Sequence, residues 1–486
     1  MLLLGLIWAT LNFASANIME EIPLRDDCQW INVVDPEINV ECYEQFVHFN
    51  APEAKRLYRP TQQKKDFKLA SFNVLYQGSD RSRFKDLRLV AELINQFDLI
   101  AIQELLNTDA RSESHNNRLW KYYHETKDPE AIKHFLLPPA MLILNELRVL
   151  DPSWALILSR KAKVDGRNDI EEVGFFYRGK IVKPVLNEHC RLRNRPKAEG
   201  IACAIRPTKT LIGRDVSKVF GRYPFMASFQ SGNFDFAYIS SHIVFGSPVD
   251  EELRKVILEQ AFGVSNYEDL GVGVNAGTYA RWAEMKVIAD FMKGFKRTYQ
   301  EKDIIFAGDT NLEARFPLWE QIAKDAGDFK LLIDEPTTLS ISRLRRDVET
   351  VGRASNYDHF LIHPEDTNEC HADKAQVHYF HEEGISNDLH NLYLIRDDSG
   401  NLTPSGNKKW KKASNAYRQK IGSQMTVKNG ALQVWEDDID LAVSIFEGRI
   451  FESQLQSSTY YKMYQEIISD HFPISISCDR TARDDD

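Results

Sequence analysis

The sequence lacks three features that often reveal a function directly. It contains no CxxC motif and no cluster of cysteine and histidine residues, which argues against a structural zinc site. After residue 16, no apolar run is long enough to span a bilayer. The 486-residue chain also lacks an excess of positive charge, because its formal net charge is −10 at pH 7. Bulk electrostatics therefore do not recruit a polyanion such as nucleic acid.

Acidic residues are missing from one segment in particular. Between Ser399 and Trp435 there is no aspartate or glutamate. The segment carries Lys408, Lys409, Lys411, Lys412, Arg418, Lys420 and Lys428, with Trp410 and Tyr417 among them. Basic residues interleaved with aromatic ones are typical of a surface that follows a nucleic-acid backbone. A solvated basic hairpin is an equally good interpretation.

The first sixteen residues, MLLLGLIWATLNFASA, predict a secretory signal peptide. A mainly apolar run from Leu2 to Leu11 precedes Ala14-Ser15-Ala16, which resembles a small-residue cleavage site. No lysine or arginine precedes the run, and a buried N-terminal strand or helix is the alternative. A signal peptide implies a secreted or periplasmic protein. Residues 17–66 are then an N-terminal extension packed on the main body.

The chain has six cysteines, an even number that suits an oxidising compartment. Cys28–Cys42 and Cys190–Cys203 are close in sequence, so each pair suits a disulfide across a loop. Cys370 and Cys478 each follow an apolar, strand-like run and suit a disulfide that closes a long loop. Other pairings of the six remain open.

Polar side chains recur at the ends of predicted strands. The run Ile304 to Ala307 stops at Gly308 and delivers Asp309 and Asn311, which can point to one side because they are two residues apart. Strand–helix–strand units place their ligands at such ends. The full set is Asn73, Glu104, Glu171, Arg222, His242, Asp309, Asn311, Asp358, Asp470 and His471. A Gly-rich, polar stretch at 246–278 predicts a mobile loop near these residues.

This set of residue types suits the metal-assisted hydrolysis of a phosphate ester. Carboxylates hold a hard divalent cation through oxygen atoms, and the cation neutralises charge on the phosphoryl oxygens. One histidine can deprotonate the attacking water while the other protonates the leaving group. Each histidine then needs a carboxylate to fix its tautomer.

Eight short segments carry a family resemblance in their order along the chain. They are SFNVL, DLIAIQEL, EEVGFFYR, GRYPF, YISSHIVFG, IIFAGDTNLEA, SNYDHFLI and ISDHFPISI. Together they resemble the endonuclease/exonuclease/phosphatase superfamily, and most of all the deoxyribonuclease I-like nucleases, including secreted bacterial ones. The resemblance spans about residues 67–478, with insertions at about 106–150 and 364–458. A polar tail follows at 479–486.

The resemblance implies an α/β (α+β) fold of four layers. Two mostly antiparallel β-sheets would pack face to face with helices outside, and the active site would lie at one sheet edge. The cation would be Mg²⁺ or Mn²⁺, and structural Ca²⁺ is a further possibility in the family. One departure from the family pattern is that no cysteine pair flanks Asp309 and Asp358.

The resemblance also assigns a role to each matched residue. Glu104 would be the main metal ligand, with Asn73 and Asp470 beside it. His471, oriented by Asp358, would be the general base, and His242, paired with Glu171, the general acid. Asp309 and Asn311 would hold a second metal or the phosphate, and Arg222 would contact phosphate. Counting back from the end of EEVGFFYR favours Glu171 over Glu172 for the pairing with His242.

Three functions are consistent with these motifs. The first is a secreted, monomeric, divalent-metal-dependent phosphodiesterase that acts as an endonuclease on DNA, without stable membrane insertion. The second keeps the chemistry but acts on sphingomyelin or inositol phosphates. The third, a non-catalytic binding module, ranks last because both His242 and His471 are retained with their candidate carboxylates.

Overall fold

The computed structural model describes residues 65–77, 87–106, 139–159, 171–190, 201–381 and 468–482, with short pieces at 122, 125–126, 163–164, 167–168 and 464–465. The predicted signal peptide, the Cys28–Cys42 pair, most of the 106–150 insertion and the basic segment 399–435 lie outside these residues.

The described chain contains both strands and helices. In chain order they are β1 Asp66–Gln77, β2 Leu99–Leu106, β3 Trp154–Leu158, β4 Lys163–Val164, β5 Arg167–Asn168, β6 Glu171–Arg178, β7 Lys183–Val185, β8 Ala202–Ala204, β9 Phe225–Ser231, β10 Phe234–Ser240, β11 Ile304–Asp309, β12 Lys330–Leu331, β13 Asp358–Ile362, β14 Cys370–Val377 and β15 Ile474–Asp479. The helices are α1 Leu87–Ile94, α2 Pro139–Leu150, α3 Lys209–Ile212, α4 Glu251–Phe262, α5 Tyr279–Tyr299, α6 Leu318–Ala326 and α7 Ile341–Arg346.

The strands form two large mixed sheets. The first has the order β14-β15-β1-β2-β6-β3, and the second has the order β12-β13-β11-β10-β9-β7, with β8 also paired to β9. The pairs β1/β2 and β10/β11 are parallel, while the other pairs in these sheets are antiparallel. A separate two-stranded ribbon joins β4 and β5.

Alternation along each strand divides its side chains between two cores. Residues Phe234, Phe236 and Tyr238 of β10 enter the core between the sheets, whereas Ala237 and Ile239 face the helices outside. This follows from the two-residue period of a strand. The helices α1 and α2 cover the first sheet, and α4, α5 and α6 cover the second. The result is the four-layered sandwich that the sequence predicted.

The structure corrects three predictions that the sequence makes about secondary structure. Strand β14 lies inside the segment 364–458, which the sequence predicts to be an insertion, and it forms an edge of the first sheet. The stretch 246–278 contains the helix α4 and a short 3₁₀ turn at Tyr267–Leu270 instead of a continuous loop. Residues 464–465 are helical, whereas the apolar pattern of residues 460–468 predicts a strand.

Two of the expected cysteine pairs are disulfides. Cys190 is bonded to Cys203, and Cys370 is bonded to Cys478. The second bond joins β14 to β15, where the two cysteines are direct partners in the register. Among the described helices, none has the combination of length and apolar character that crossing a membrane requires.

The directions of the strands bring the predicted site residues to one end of the sandwich. The parallel strands β1 and β2 finish at that end, and β6 and β15, which run antiparallel to them, start there. In the second sheet, β10 and β11 finish where β13 starts. Residues at the ends of β1, β2, β10 and β11 therefore meet residues at the starts of β6, β13 and β15 at one edge of the sandwich.

Candidate active site

Glu104 reaches the site through an irregularity in β2. The register between β2 and β6 shifts between Ile102 and Leu105, and Glu104 has a φ of +59°, in the left-handed region. A bulge of this kind turns one side chain away from regular alternation and often marks a functional position. Glu104 is 5% exposed. Its carboxylate consequently enters the edge of the sandwich instead of one of the two cores.

Asn73, near the end of β1, links carboxylates from both sheets. Its Nδ2 atom donates to Oε1 of Glu104 and to Oδ2 of Asp309, each at 2.9 Å. Its Oδ1 atom accepts from the backbone N–H of Leu75 at 2.9 Å. Asn73 thus presents an amide N–H₂ group to the site, and not the oxygen that a metal ligand would use. The role of Asn73 as a metal ligand stays a prediction, and in this structure its side chain bridges two acids.

Asp309 occupies the centre of the cluster because β11 comes very close to the chain after β10. A Cβ atom on Gly308 would lie 2.1 Å from the carbonyl oxygen of Ser241, so only glycine allows this approach. The close approach lets His242 form an isolated bridge to Asp309, and Ile243 N donates to the Asp309 carbonyl at 2.9 Å. Asp309 is 1% exposed.

His471 is fixed by a carboxylate that is itself fixed. Its Nδ1 atom donates to Oδ2 of Asp358 at 2.8 Å, and Oγ1 of Thr337 donates to the same oxygen at 2.6 Å. Thr337 also accepts the backbone N–H groups of Tyr357 and Asp358. Burial by itself lowers the pKa of His471, but the charges of Asp358 and Asp309 outweigh it and hold the pKa well above 6.5.

His242 forms a second pair of the same kind. Its Nδ1 atom donates to Oε2 of Glu171 at 2.7 Å, and Arg222 donates to Oε1 of Glu171 at 2.5 Å. Burial lowers the pKa of His242, but the hydrogen bond to Glu171 and the charges of Asp309, Glu171 and Glu104 raise it above 6.5 overall. Burial raises the pKa of Glu171, and the contacts with His242 and Arg222 lower it below 4.5. Glu171, and not Glu172, makes this contact.

The two histidines converge on one oxygen atom. Nε2 of His242 lies 3.6 Å from Oδ2 of Asp309, and Nε2 of His471 lies 3.6 Å from the same Oδ2. His242 Nε2 is also 3.7 Å from Oε1 of Glu104. Since each Nδ1 is held by its own carboxylate, each Nε2 is the atom directed at the shared centre. A group bound beside Asp309 would therefore meet both imidazoles.

Three other predicted residues have different surroundings from those expected. Asn311 has a φ of +54° just after β11 ends, so strand alternation does not apply to it, and its Nδ2 donates to the carbonyl of Ile243 at 2.9 Å. Arg222 is engaged with Glu171, and its Nη1 lies 3.1 Å from His242 Nδ1. Within the described residues, the Asp470 carboxylate has no hydrogen bond to Glu104, Asn73 or Asp309, and its charge instead adds to the raised pKa of His471.

The composition of the cluster fits a hard divalent cation. Four carboxylates belong to it, namely those of Glu104, Glu171, Asp309 and Asp358. They outnumber Arg222 and the two histidines even when both imidazoles are protonated. A buried excess of negative charge on oxygen atoms is the environment that Mg²⁺ or Mn²⁺ prefers. Ligand atoms of Asp309, Asp358 and His471 lie within 4.8 Å of one another, close enough to share an ion.

Sequence reasoning missed two residues that order the site. Thr337 supports Asp358, as described above, and lies in a loop without a recognised motif. Ser469 donates to the carbonyl of Asn73 at 2.7 Å and accepts from the backbone N–H of His471 at 3.1 Å. Ser469 therefore connects the end of β1 to the turn that carries His471. Its position two residues before a predicted catalytic histidine is the one signal that pointed to it.

Comparison with known proteins gives structural relatives only. No family model and no curated protein sequence matches the chain. Several solved structures resemble it at low sequence identity, and two of them carry the description endonuclease/exonuclease/phosphatase. One is the family member from Bacteroides vulgatus, with 15% identity, a TM-score of 0.32, and coverage of 65% of this chain and 90% of that one.

Two further likenesses have similar values. A mannosyl-6-phosphatase from Bacteroides thetaiotaomicron has 14% identity and a TM-score of 0.33, over 64% of this chain and 87% of its own. The catalytic domain of human Nocturnin has 10% identity and a TM-score of 0.34, over 65% of this chain and 87% of its own. Values this low do not assign an activity to the chain.

Proposed function

We propose that this chain is an exported, divalent-metal-dependent phosphodiesterase that hydrolyses nucleic acid, with DNA as the first candidate substrate. The convergence of two carboxylate-held imidazoles on one oxygen of Asp309 is the observation that carries the proposal. Acid–base hydrolysis of a phosphodiester needs one group to take a proton from water and another to give one to the leaving oxygen. The pair His242 and His471 supplies both at one centre.

In the proposed mechanism each histidine exchanges a proton through Nε2. With the charge of Asp309 neutralised by a cation, the pKa of His471 would fall, because that charge helps to raise it. Neutral His471 then accepts a proton from the attacking water, and Asp358 stabilises the imidazolium that forms. His242 donates its Nε2 proton to the oxygen of the P–O bond that breaks, so the leaving group departs as an alcohol. The hydrogen bond to Glu171 keeps one proton on Nδ1 of His242. The charge of Glu171 also favours the protonated imidazole of His242 before its Nε2 proton is transferred.

The cluster offers two possible sets of ligands for a cation. The first set is Asp309 and Glu104, which Asn73 joins, and it leaves His471 available for proton transfer. The second set is Asp309, Asp358 and His471, and it would use His471 as a ligand instead. We propose the first arrangement, because it leaves Nε2 of His471 free to exchange a proton. A bound cation would neutralise charge on the phosphoryl oxygens.

Two exposed arginines on the helix that follows the neighbour of His471 support an extended, anionic substrate. Thr338 forms a bridge to His471, and α7 begins three residues later with Arg343 and Arg346 exposed. These arginines could neutralise phosphates next to the scissile one. The basic, aromatic segment 399–435 points the same way by sequence alone. The predicted signal peptide and the two disulfides support export.

A lipid phosphodiesterase is the second candidate, because apolar side chains are exposed after His242. Phe245 is 59% exposed and Val249 is 98% exposed. A membrane-bound phosphodiester such as sphingomyelin would meet such side chains, and release of phosphocholine from vesicles tests this candidate.

The primary test is incubation of the mature protein with supercoiled plasmid in Mg²⁺ or Mn²⁺, with EDTA as the control. We expect nicked and linear DNA with either cation and intact plasmid with EDTA. The variant His371→Ala, on the edge strand β14, is the matched histidine control and should cleave like the wild type. Plasmid that stays intact with every cation would overturn the nuclease proposal.

A further inference from the structure

Phe245 is an exposed aromatic ring whose position relative to the catalytic centre is fixed. It lies three residues after His242, and Ile243, the first of the two residues between them, is hydrogen-bonded through both its N–H and its carbonyl. Ile243 N donates to the carbonyl of Asp309, and the Ile243 carbonyl accepts from Nδ2 of Asn311, both at 2.9 Å. The segment that carries Phe245 is therefore anchored to the end of β11.

A buried arginine supports the ring. The guanidinium carbon of Arg281 lies 4.5 Å from the centroid of Phe245, within the range of a cation–π contact. Arg281 is 6% exposed and donates to the carbonyls of Asn311 and Gly277. The ring of Tyr357 meets Phe245 edge to face at 6.5 Å. A buried cation thus holds in place a ring that remains 59% exposed.

The surroundings favour a single planar group over a bilayer as the partner of this ring. Val249 is followed directly by Asp250, Glu251 and Glu252, all exposed at the start of α4. A membrane that reached Val249 would bring these carboxylates against the phosphate groups of the lipids. A single ring that stacks on Phe245 need not extend to these carboxylates, which begin five residues further along the chain.

We propose that Phe245, backed by Arg281, is a stacking platform for a nucleobase next to the scissile phosphate. The inference rests on the proposed phosphodiesterase function and narrows its substrate class to nucleotides with a base beside the reacting bond. Stacking on an aromatic side chain accepts any base, because every base has a π-face. Phe245 would therefore select for the presence of a base and not for its identity.

Binding of a single-stranded oligothymidylate, followed by fluorescence anisotropy in EDTA, tests the platform without turnover. Phe245→Ala should weaken binding about tenfold, which is the usual effect of losing one stacked base. Phe245→Trp should bind at least as tightly as the wild type. Val249→Ser, in the same exposed loop, should bind like the wild type. An oligonucleotide of abasic sites should bind wild type and Phe245→Ala equally.

Kinetics with Mg²⁺ then separate this inference from the proposed function. With DNA as substrate, Phe245→Ala should raise KM and leave kcat nearly unchanged. If Phe245→Ala binds and cleaves oligothymidylate like the wild type, the platform is wrong while the nuclease stands. If the wild type binds no oligonucleotide but releases phosphocholine from vesicles, the nucleobase assignment is wrong. If it hydrolyses no phosphodiester at all, the proposed function itself fails.

Discussion

The buried His378 gives a prediction for stability whose size follows from its surroundings. It is the first residue after β14 and is 7% exposed. Its Nε2 atom forms a hydrogen bond with Oγ of Ser475 at 2.7 Å. Its ring contacts Phe97 edge to face at a centroid distance of 4.9 Å. Burial, with a smaller contribution from the charge of Lys68, lowers its pKa from 6.5 to about 4. The folded protein therefore keeps His378 neutral where the unfolded chain takes up a proton.

The sign of the effect follows from the lowered pKa. As pH falls through 6.5, the unfolded state binds a proton that the folded state refuses until about pH 4. Stability is thus complete above pH 6.5 and is lost on acidification. The full loss is about 3 kcal/mol at 1.36 kcal/mol per pKa unit, and about 2 kcal/mol of it occurs between pH 7 and pH 5.

Urea unfolding of the wild type and His378→Gln at pH 7 and pH 5 measures this loss. Other acid-sensitive groups affect both proteins, so the informative quantity is the difference between their changes in unfolding free energy. We expect the wild type to lose about 2 kcal/mol more than the variant. Parallel losses in the two proteins would refute the assignment of a strongly lowered pKa to His378.

Substitutions at four other positions have expected outcomes. His242→Ala and His471→Ala should each lower kcat for a phosphodiester at least about a hundredfold with a similar melting temperature, whereas an active double variant would show that neither histidine is catalytic. Thr337→Val should lower kcat about tenfold because it frees the carboxylate that orients His471, and Thr337→Ser should restore it; equal rates in steady-state assays would contradict this role. Gly308→Ala should cost about 3 kcal/mol in urea unfolding, since its Cβ meets the Ser241 carbonyl. A wild-type midpoint for Gly308→Ala would contradict the close approach.

Much of the fold could be predicted because apolar runs and turn residues mark the long strands. The residues at their ends converge because β1, β2, β10 and β11 finish at the same edge, a consequence of parallel pairing that sequence spacing already suggested. The edge strand β14 was missed because its sequence, CHADKAQV, is mostly polar and partly exposed, so it shows no apolar alternation.

The details of the site depend on backbone geometry that a motif does not encode. The φ of +59° at Glu104 and +54° at Asn311 redirects both side chains relative to a regular strand. Which atom of Asn73 faces the carboxylates depends on the Leu75 N–H that occupies its oxygen. Thr337 contributes through a loop contact 21 residues from Asp358 in sequence, a distance at which no local pattern relates the two.

The central claim is that Asp309 lies at a cation site flanked by the two histidines. The most direct test is a crystal structure soaked in Mn²⁺, with the ion located by its anomalous scattering. We predict an anomalous peak in contact with Asp309 and Glu104, between the Nε2 atoms of His242 and His471. A structure in which these side chains are ordered as described but the Mn²⁺ peak lies elsewhere would contradict the account.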